Sequence, residues 1–283
     1  RSFFSSPIGF LGPPWVVSCS SSKTQGVCLS SLSPRVAERK MPFSPVLASY
    51  READEAVKLI RQWKDQPFFI QVSHYAVHTP IQAIQEVADK YKFKEGMSET
   101  NRKYAAMVES IDDCMRDMLA ELKKHGIDDN TLIIFTSDNG GLDRNGGPTE
   151  NAPLRSGKGY CYEGGIRVPF LARWPAKIPA GKKSDFPVSS IDLFPTIMEA
   201  TGTELPKNRP IDGLSLTDHL NSGGKKSPKR ETLIWHFPHY RHAPGPYSII
   251  RKGDFKLIKF WEGINELYDL KNDLGEANNL AES

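Results

Sequence analysis

The chain has 283 residues, enough for one large domain or for one domain with a smaller appendage. With 39% hydrophobic and 25% charged residues it has the composition of an ordinary globular protein, which excludes a fibrous or wholly disordered chain. The net charge of +3 is small and evenly spread, so it gives no reason to expect a nucleic-acid partner.

Basic pairs such as Lys182–Lys183 and Lys225–Lys226 sit beside Gly and Ser and read as solvated loops. No apolar run approaches the length of a membrane-spanning helix. Cys19, Cys28, Cys114 and Cys161 show neither zinc-type nor redox-type spacing.

Residues 1–45 are rich in Ser, Pro and Gly without a sustained period, which predicts a poorly ordered segment. Val16-Val17-Ser18-Cys19 loosely resembles a lipoprotein cleavage box, but Pro7, Pro13 and Pro14 break the apolar stretch before it, and no export signal is read there. From Tyr50 the texture changes. Ala53, Ala56, Val57, Ile60 and Trp63 fall on one helical face, and Pro67 ends the pattern before the strand-like FFIQV. His74 and His78 follow that strand; Pro80 argues against a regular helix there, and no third soft ligand is near enough in sequence to suggest zinc.

A long amphipathic helix is predicted across Asn101–Gly126, with Gly126 as its C-cap and a Met-rich stripe that reads as core. Asp112–Asp113 in it read as surface charge plus a helix partner, because adjacent helix residues point about 100° apart. Leu132–Phe135 is a short apolar run closed by Ser-Asp-Asn-Gly, as for a strand buried on both faces of a sheet. VPFLARWP reads as a further strand, IDLFPTIMEATG as a helix interrupted early by Pro195, and the stretch from Glu231 onward as alternating strands and turns.

The segment between Thr131 and Pro169 carries the chemistry. Asp138 and Asn139 lie past the carboxyl end of a strand, where open α/β sheets bind ligands, and offer the hard oxygens that Ca²⁺ or Mg²⁺ takes. Lys158 sits between Gly157 and Gly159, a cation on a flexible backbone able to approach an oxyanion. Read singly, Asn-Gly is a turn and Lys158 a solvated charge. Read together, metal-type oxygens and an ammonium suggest a site for an anionic ester.

The string Ser137-Asp138-Asn139-Gly140 followed by LRSGKGYCYEGGIRVP resembles the second half of the active-site region of the sulfatase family, over a stretch from about Tyr50 to the C-terminus. The resemblance implies an α/β, alkaline-phosphatase-like sheet core, incomplete here, over residues 46–220, and a small antiparallel C-terminal subdomain over 221–283. It implies sulfate monoester hydrolysis, with Asp138 and Asn139 as calcium ligands and with Lys158 and His78, the latter in a His-x-Pro string, contacting the sulfate. These four residues are expected to converge on one cleft.

The family's nucleophile is a formylglycine made in a C-x-P-S-R type motif. Cys19, followed by Ser-Ser-Ser-Lys, and Cys28, followed by Leu-Ser-Ser-Leu, do not match it. Two further aspartates of the family's calcium site also have no counterpart before Tyr50. The expectation is therefore a truncated, inactive sulfatase whose substrate is a sulfated sugar or an aryl sulfate. The alternatives are a non-catalytic remnant or sulfated-ligand binding module, and a phosphate-ester hydrolase on the same fold. By family analogy the protein is expected to be periplasmic or secreted.

Overall fold

The computed structural model describes residues 3–5, 15–18, 25–28, 45–143, 147–241 and 245–281. In chain order the elements are β1 (Phe3–Ser5), β2 (Trp15–Ser18), β3 (Gln25–Cys28), α1 (Pro45–Trp63), β4 (Phe68–Gln71), α2 (Gln85–Asp89), α3 (Glu99–Lys124) and β5 (Thr131–Thr136). There follow α4 (Glu163–Ile166), β6 (Arg167–Arg173), α5 (Leu193–Ala200), α6 (Thr217–Asn221) and the four strands β7 (Thr232–Phe237), β8 (Tyr247–Lys252), β9 (Phe255–Phe260) and β10 (Asn265–Asp269). Two compact units contain them. A helix unit comprises residues 11–136 and 171–180, and a C-terminal unit comprises 1–10, 137–170 and 181–283.

In the helix unit α1 packs on α3, and both lie over the sheet. Ala56, Ile60 and Trp63 of α1 share one buried cluster with Phe68 and Ile70 of β4 and with Met118 and Leu122 of α3. Each such aliphatic side chain contributes about 1.5–3 kcal/mol by leaving water. The helix α3 starts where Ser98 accepts from the Asn101 N–H at 3.1 Å. It ends with Lys123 and Lys124 in its last turn, which complement the helix dipole, and Gly126 follows at φ +70°. Its Met stripe is core, as read, with Met107 and Met118 buried; Val108 departs from the pattern and is exposed. Asp113 accepts from the Tyr50 hydroxyl at 3.1 Å and pairs with Arg116, and Asp112 faces solvent.

The strands of this unit correct one expectation. Phe68–Val72 and Leu132–Phe135 are expected to be neighbouring strands, parallel or nearly so. β4 and β5 instead each pair antiparallel with β2, so they run parallel to one another with β2 between them. β3 adds to β4 in parallel. Residues 1–45 were expected to be poorly ordered; most lie outside the described residues, but β1, β2 and β3 pair with strands of the folded chain, β1 with β6. The apolar Trp-Val-Val and the β-branched residues of these short runs suit a strand, a local signal that the Ser/Pro/Gly background masked.

In the C-terminal unit β7 to β10 form an antiparallel meander in the order β10-β9-β8-β7. Leu233, Trp235, Ile249, Ile258 and Phe260 of its inner face pack with Cys161, Tyr162 and Ile166. The Lys252-Gly253-Asp254 connection is one of the turns read there, a hairpin with Gly253 at φ +58°. The boundary expected after residue 220 is not where the compact units divide, since residues 137–170 belong with the C-terminal sheet. Pro195 does not interrupt α5: it sits in the first turn, where no N–H is needed, after a turn closed by reciprocal Ser189–Asp192 bonds.

Candidate functional site

The turn after β5 is fixed by backbone contacts. Leu132, Ile133 and Ile134 bury on both faces, and the chain then reverses where the Ser137 hydroxyl donates to the Asn139 carbonyl at 2.9 Å. The Gly140 N–H donates to the Gly165 carbonyl at 3.0 Å. A Cβ on Gly140 would stand 1.7 Å from the Gly164 carbonyl oxygen, so only glycine allows the two segments to meet. Asp138 and Asn139 are half-buried beside this contact. The Asn139 Oδ1 is fully buried and has no hydrogen-bond partner among the described residues. A buried acceptor in that condition costs about 1–3 kcal/mol unless something satisfies it.

Lys158 is brought to the same turn. Its N–H donates to the Gly141 carbonyl at 2.9 Å, and the Asn151 amide donates both to Gly141 O and to Ser156 O at 3.0 Å. Asn151 thus staples the Asp138–Asn139 turn to the Lys158 string, a role with no sequence signature. Lys158 is half-buried, and its ammonium makes no ion pair with the described residues. The flexible backbone expected around it is not what the glycines provide. A Cβ on Gly157 would lie 2.3 Å from Gly141 O, so that glycine serves close packing, and only Gly159, at φ +92°, serves backbone conformation.

Beneath this string lies a charged clamp. Lys256 of β9 is wholly buried, and its ammonium reaches Glu163 at 3.0 Å and Glu276 at 2.7 Å. The other oxygen of Glu276 accepts from the Glu163 N–H at 2.6 Å. Burial disfavours the Lys256 charge, but the two carboxylates outweigh it and its pKa is raised. Burial likewise works against the Glu163 carboxylate, yet Lys256 and Arg251 hold it below its usual range, whereas burial prevails at Glu276 and raises it. Arg155 stacks on the Tyr162 ring with its guanidinium carbon 3.7 Å from the centroid, and donates to the Tyr268 hydroxyl at 2.8 Å and the Glu276 carbonyl at 2.9 Å. Burial, above all, pushes the Cys161 thiol up to about 12.

His78 belongs to the helix unit. It is exposed past the end of β4, with Nδ1 2.9 Å from the Thr79 carbonyl and its ring edge-on to Tyr75. Nε2 is thereby left to meet another group. His74 is buried against α1, with Nδ1 3.3 Å from Glu52 and Nε2 lacking a partner among the described residues. Among the described residues no group of three or more His, Cys, Asp or Glu side chains is arranged to hold a metal. No described helix is long and apolar enough to cross a membrane.

Residues 49–203 match the sulfatase family, and residues 156–283 match the family described as N-sulphoglucosamine sulphohydrolase, C-terminal. A sulfatase of Formosa agariphila is 38% identical over 240 residues, 78% of this chain and 43% of that protein. The steryl-sulfatase of Rattus norvegicus is 39% identical over 172 residues, 59% of this chain and 28% of that protein. The crystal structure of Ps i-CgsB superposes with a TM-score of 0.73 at 32% identity, covering 83% of this chain and 51% of that one, and the same protein is known in complex with k-i-k-neocarrahexaose. The chain thus spans about half, or less, of the length of these relatives. Its mixed helix–strand core with a small antiparallel C-terminal sheet is the alkaline-phosphatase-like fold of these neighbours, and the chain belongs to the sulfatase family.

Proposed function

We propose that the protein acts on sulfate monoesters of saccharides, with Lys158 contacting the sulfuryl oxygens and Asp138 and Asn139 contributing to a calcium site. One observation carries this reading: the buried, unpartnered Asn139 Oδ1 beside the Asp138 carboxylate, on a turn tied directly to the Lys158 backbone. An oxygen-only donor pair suits a hard cation, though calcium takes about six to eight oxygens and these two residues supply only part of that shell. Calcium bound there would add positive charge where the departing ester develops negative charge. Lys158 would hold a sulfuryl oxygen from a backbone fixed by its bond to the Gly141 carbonyl. The saccharide class is favoured by the neocarrahexaose complex of Ps i-CgsB, with the steroid class of the steryl-sulfatase as its rival.

Terbium luminescence, competed by calcium, tests the metal half of this reading. Asp138→Asn and Asn139→Ala should each weaken terbium binding by about tenfold or more, as for loss of one charge-assisted contact, while Lys158→Ala should leave it unchanged and weaken sulfate binding. Terbium binding indifferent to both Asp138 and Asn139 would overturn the assignment.

A further inference from the structure

The outer face of the C-terminal meander carries a row of side chains that the fold does not use. The strand register places His236 of β7, Ser248 of β8, Lys259 of β9 and Asn265 of β10 in one line across all four strands. Trp261 continues the outward parity of Lys259 just past β9, where its N–H donates to the Pro246 carbonyl at 2.9 Å. Its indole N–H donates to the Ser248 hydroxyl at 3.2 Å, and His236 Nδ1 lies 2.9 Å from the same oxygen. The two rings are thereby fixed at 5.5 Å, inclined at 53°.

An indole 59% exposed contributes little to the core, yet this one is held in a fixed orientation by a polar lock. Tyr240, 73% exposed, is held in the same way by Glu262. Lys259 makes no ion pair with the described residues. A flat apolar ring at the end of a line of hydrogen-bonding groups, with an uncommitted ammonium among them, matches the two chemistries of a sugar ring: C–H faces that stack, and hydroxyls around the edge. The ammonium adds complementarity to an anionic substituent.

We propose that the His236–Ser248–Lys259–Asn265 row, with the Trp261 indole at its edge, is a binding platform for an anionic saccharide. The choice of ligand rests on the saccharide-sulfate reading above, but the test reads binding and not hydrolysis. Isothermal titration of the 283-residue chain with a sulfated neocarrahexaose, and with the same oligosaccharide after desulfation, measures it. Trp261→Ala should weaken binding of both by about tenfold or more, as for truncation of a central aromatic contact, and Trp261→Phe should recover part of the loss. Lys259→Ala should weaken only the sulfated form.

Unaltered affinity in Trp261→Ala overturns the platform. Loss of all binding in Lys158→Ala with Trp261→Ala unaffected also overturns it, and leaves the Lys158 site standing. Loss in Trp261→Ala with Lys158→Ala unaffected supports the platform and counts against the sulfate role of Lys158. If Trp261→Ala instead dissociates a sugar-free dimer in light scattering, the row is a contact between copies and the proposal fails.

Discussion

The two units hold their functional segments by opposite means. In the helix unit the α1–α3 seam is apolar, and the ion pairs beside it reach solvent: Arg61, 55% exposed, pairs with the buried Glu121, and Lys58 pairs with Glu55 in solvent. In the C-terminal unit the reverse holds beneath the Lys158 string, where Lys256, Glu163 and Glu276 are nearly or wholly inaccessible. An apolar seam tolerates small adjustments, because nearby side chains can close on a lost methyl group. A buried charge does not, because its former partner is left unpaired in a medium that cannot solvate it. The two also differ in reach: the seam holds helices to one another, and the directional clamp holds together segments 93 and 113 residues apart.

Removing the cation of the clamp is the severest test of this contrast. Lys256→Met deprives two buried carboxylates of the ammonium they share and should cost about 3–5 kcal/mol, read as a lowered urea midpoint. Converting both glutamates to glutamine in the same background should recover much of that loss. If Lys256→Met is no more harmful than a trimmed core methyl, the clamp does not hold the loop. In the helix unit the matching change is Ile60→Val, which removes one methyl from a fully buried side chain and should cost about 0.5–1.5 kcal/mol with no change in the Lys158 segment by hydrogen exchange.

The smallest effect concerns the pair of Arg61 with Glu121. Bonds from Arg61, and then from His125, hold the Glu121 carboxyl down at about 2, below its ordinary 4.5. A lowered carboxyl pKa stabilises above the unfolded value and ceases to do so as the pH falls through the folded one. Glu121→Gln should therefore flatten the decline of the urea midpoint between about pH 4.5 and 2. A slope equal to that of the parent would show that the pair contributes nothing.

Periodicity made the helix unit legible. The α1 face and the α3 stripe are apolar at helical spacing, Ser98 and Gly126 bound α3 by short-range chemistry, and the unbroken Leu132–Phe135 run marked β5. The turn residues Asp138, Asn139 and Lys158 could also be read, because one contiguous string carries them and the structure ties their backbones together through Gly141. What supports them could not. In FKLIKF the apolar Phe255 and Leu257 point to solvent and Lys256 points inward, the inverse of the usual alternation, because its partners lie 93 residues before it and 20 after it. Glu276 sits in a polar segment that reads as a tail. The intervening β2 was hidden for a related reason: a four-residue strand in a Ser/Pro-rich stretch is specified by its neighbours more than by its own pattern.

The carboxylate of Glu276 accepts from the backbone of Glu163 across 113 residues of sequence. On the ribosome, where residues are added at roughly 5–20 per second, the Lys158 string leaves the synthesis machinery well before the group that closes beneath it exists. The α1–α3 seam can assemble as soon as its own helices emerge. The Lys158 string waits for that closing turn, so the cation it carries reaches its final position only after Glu276 has been made.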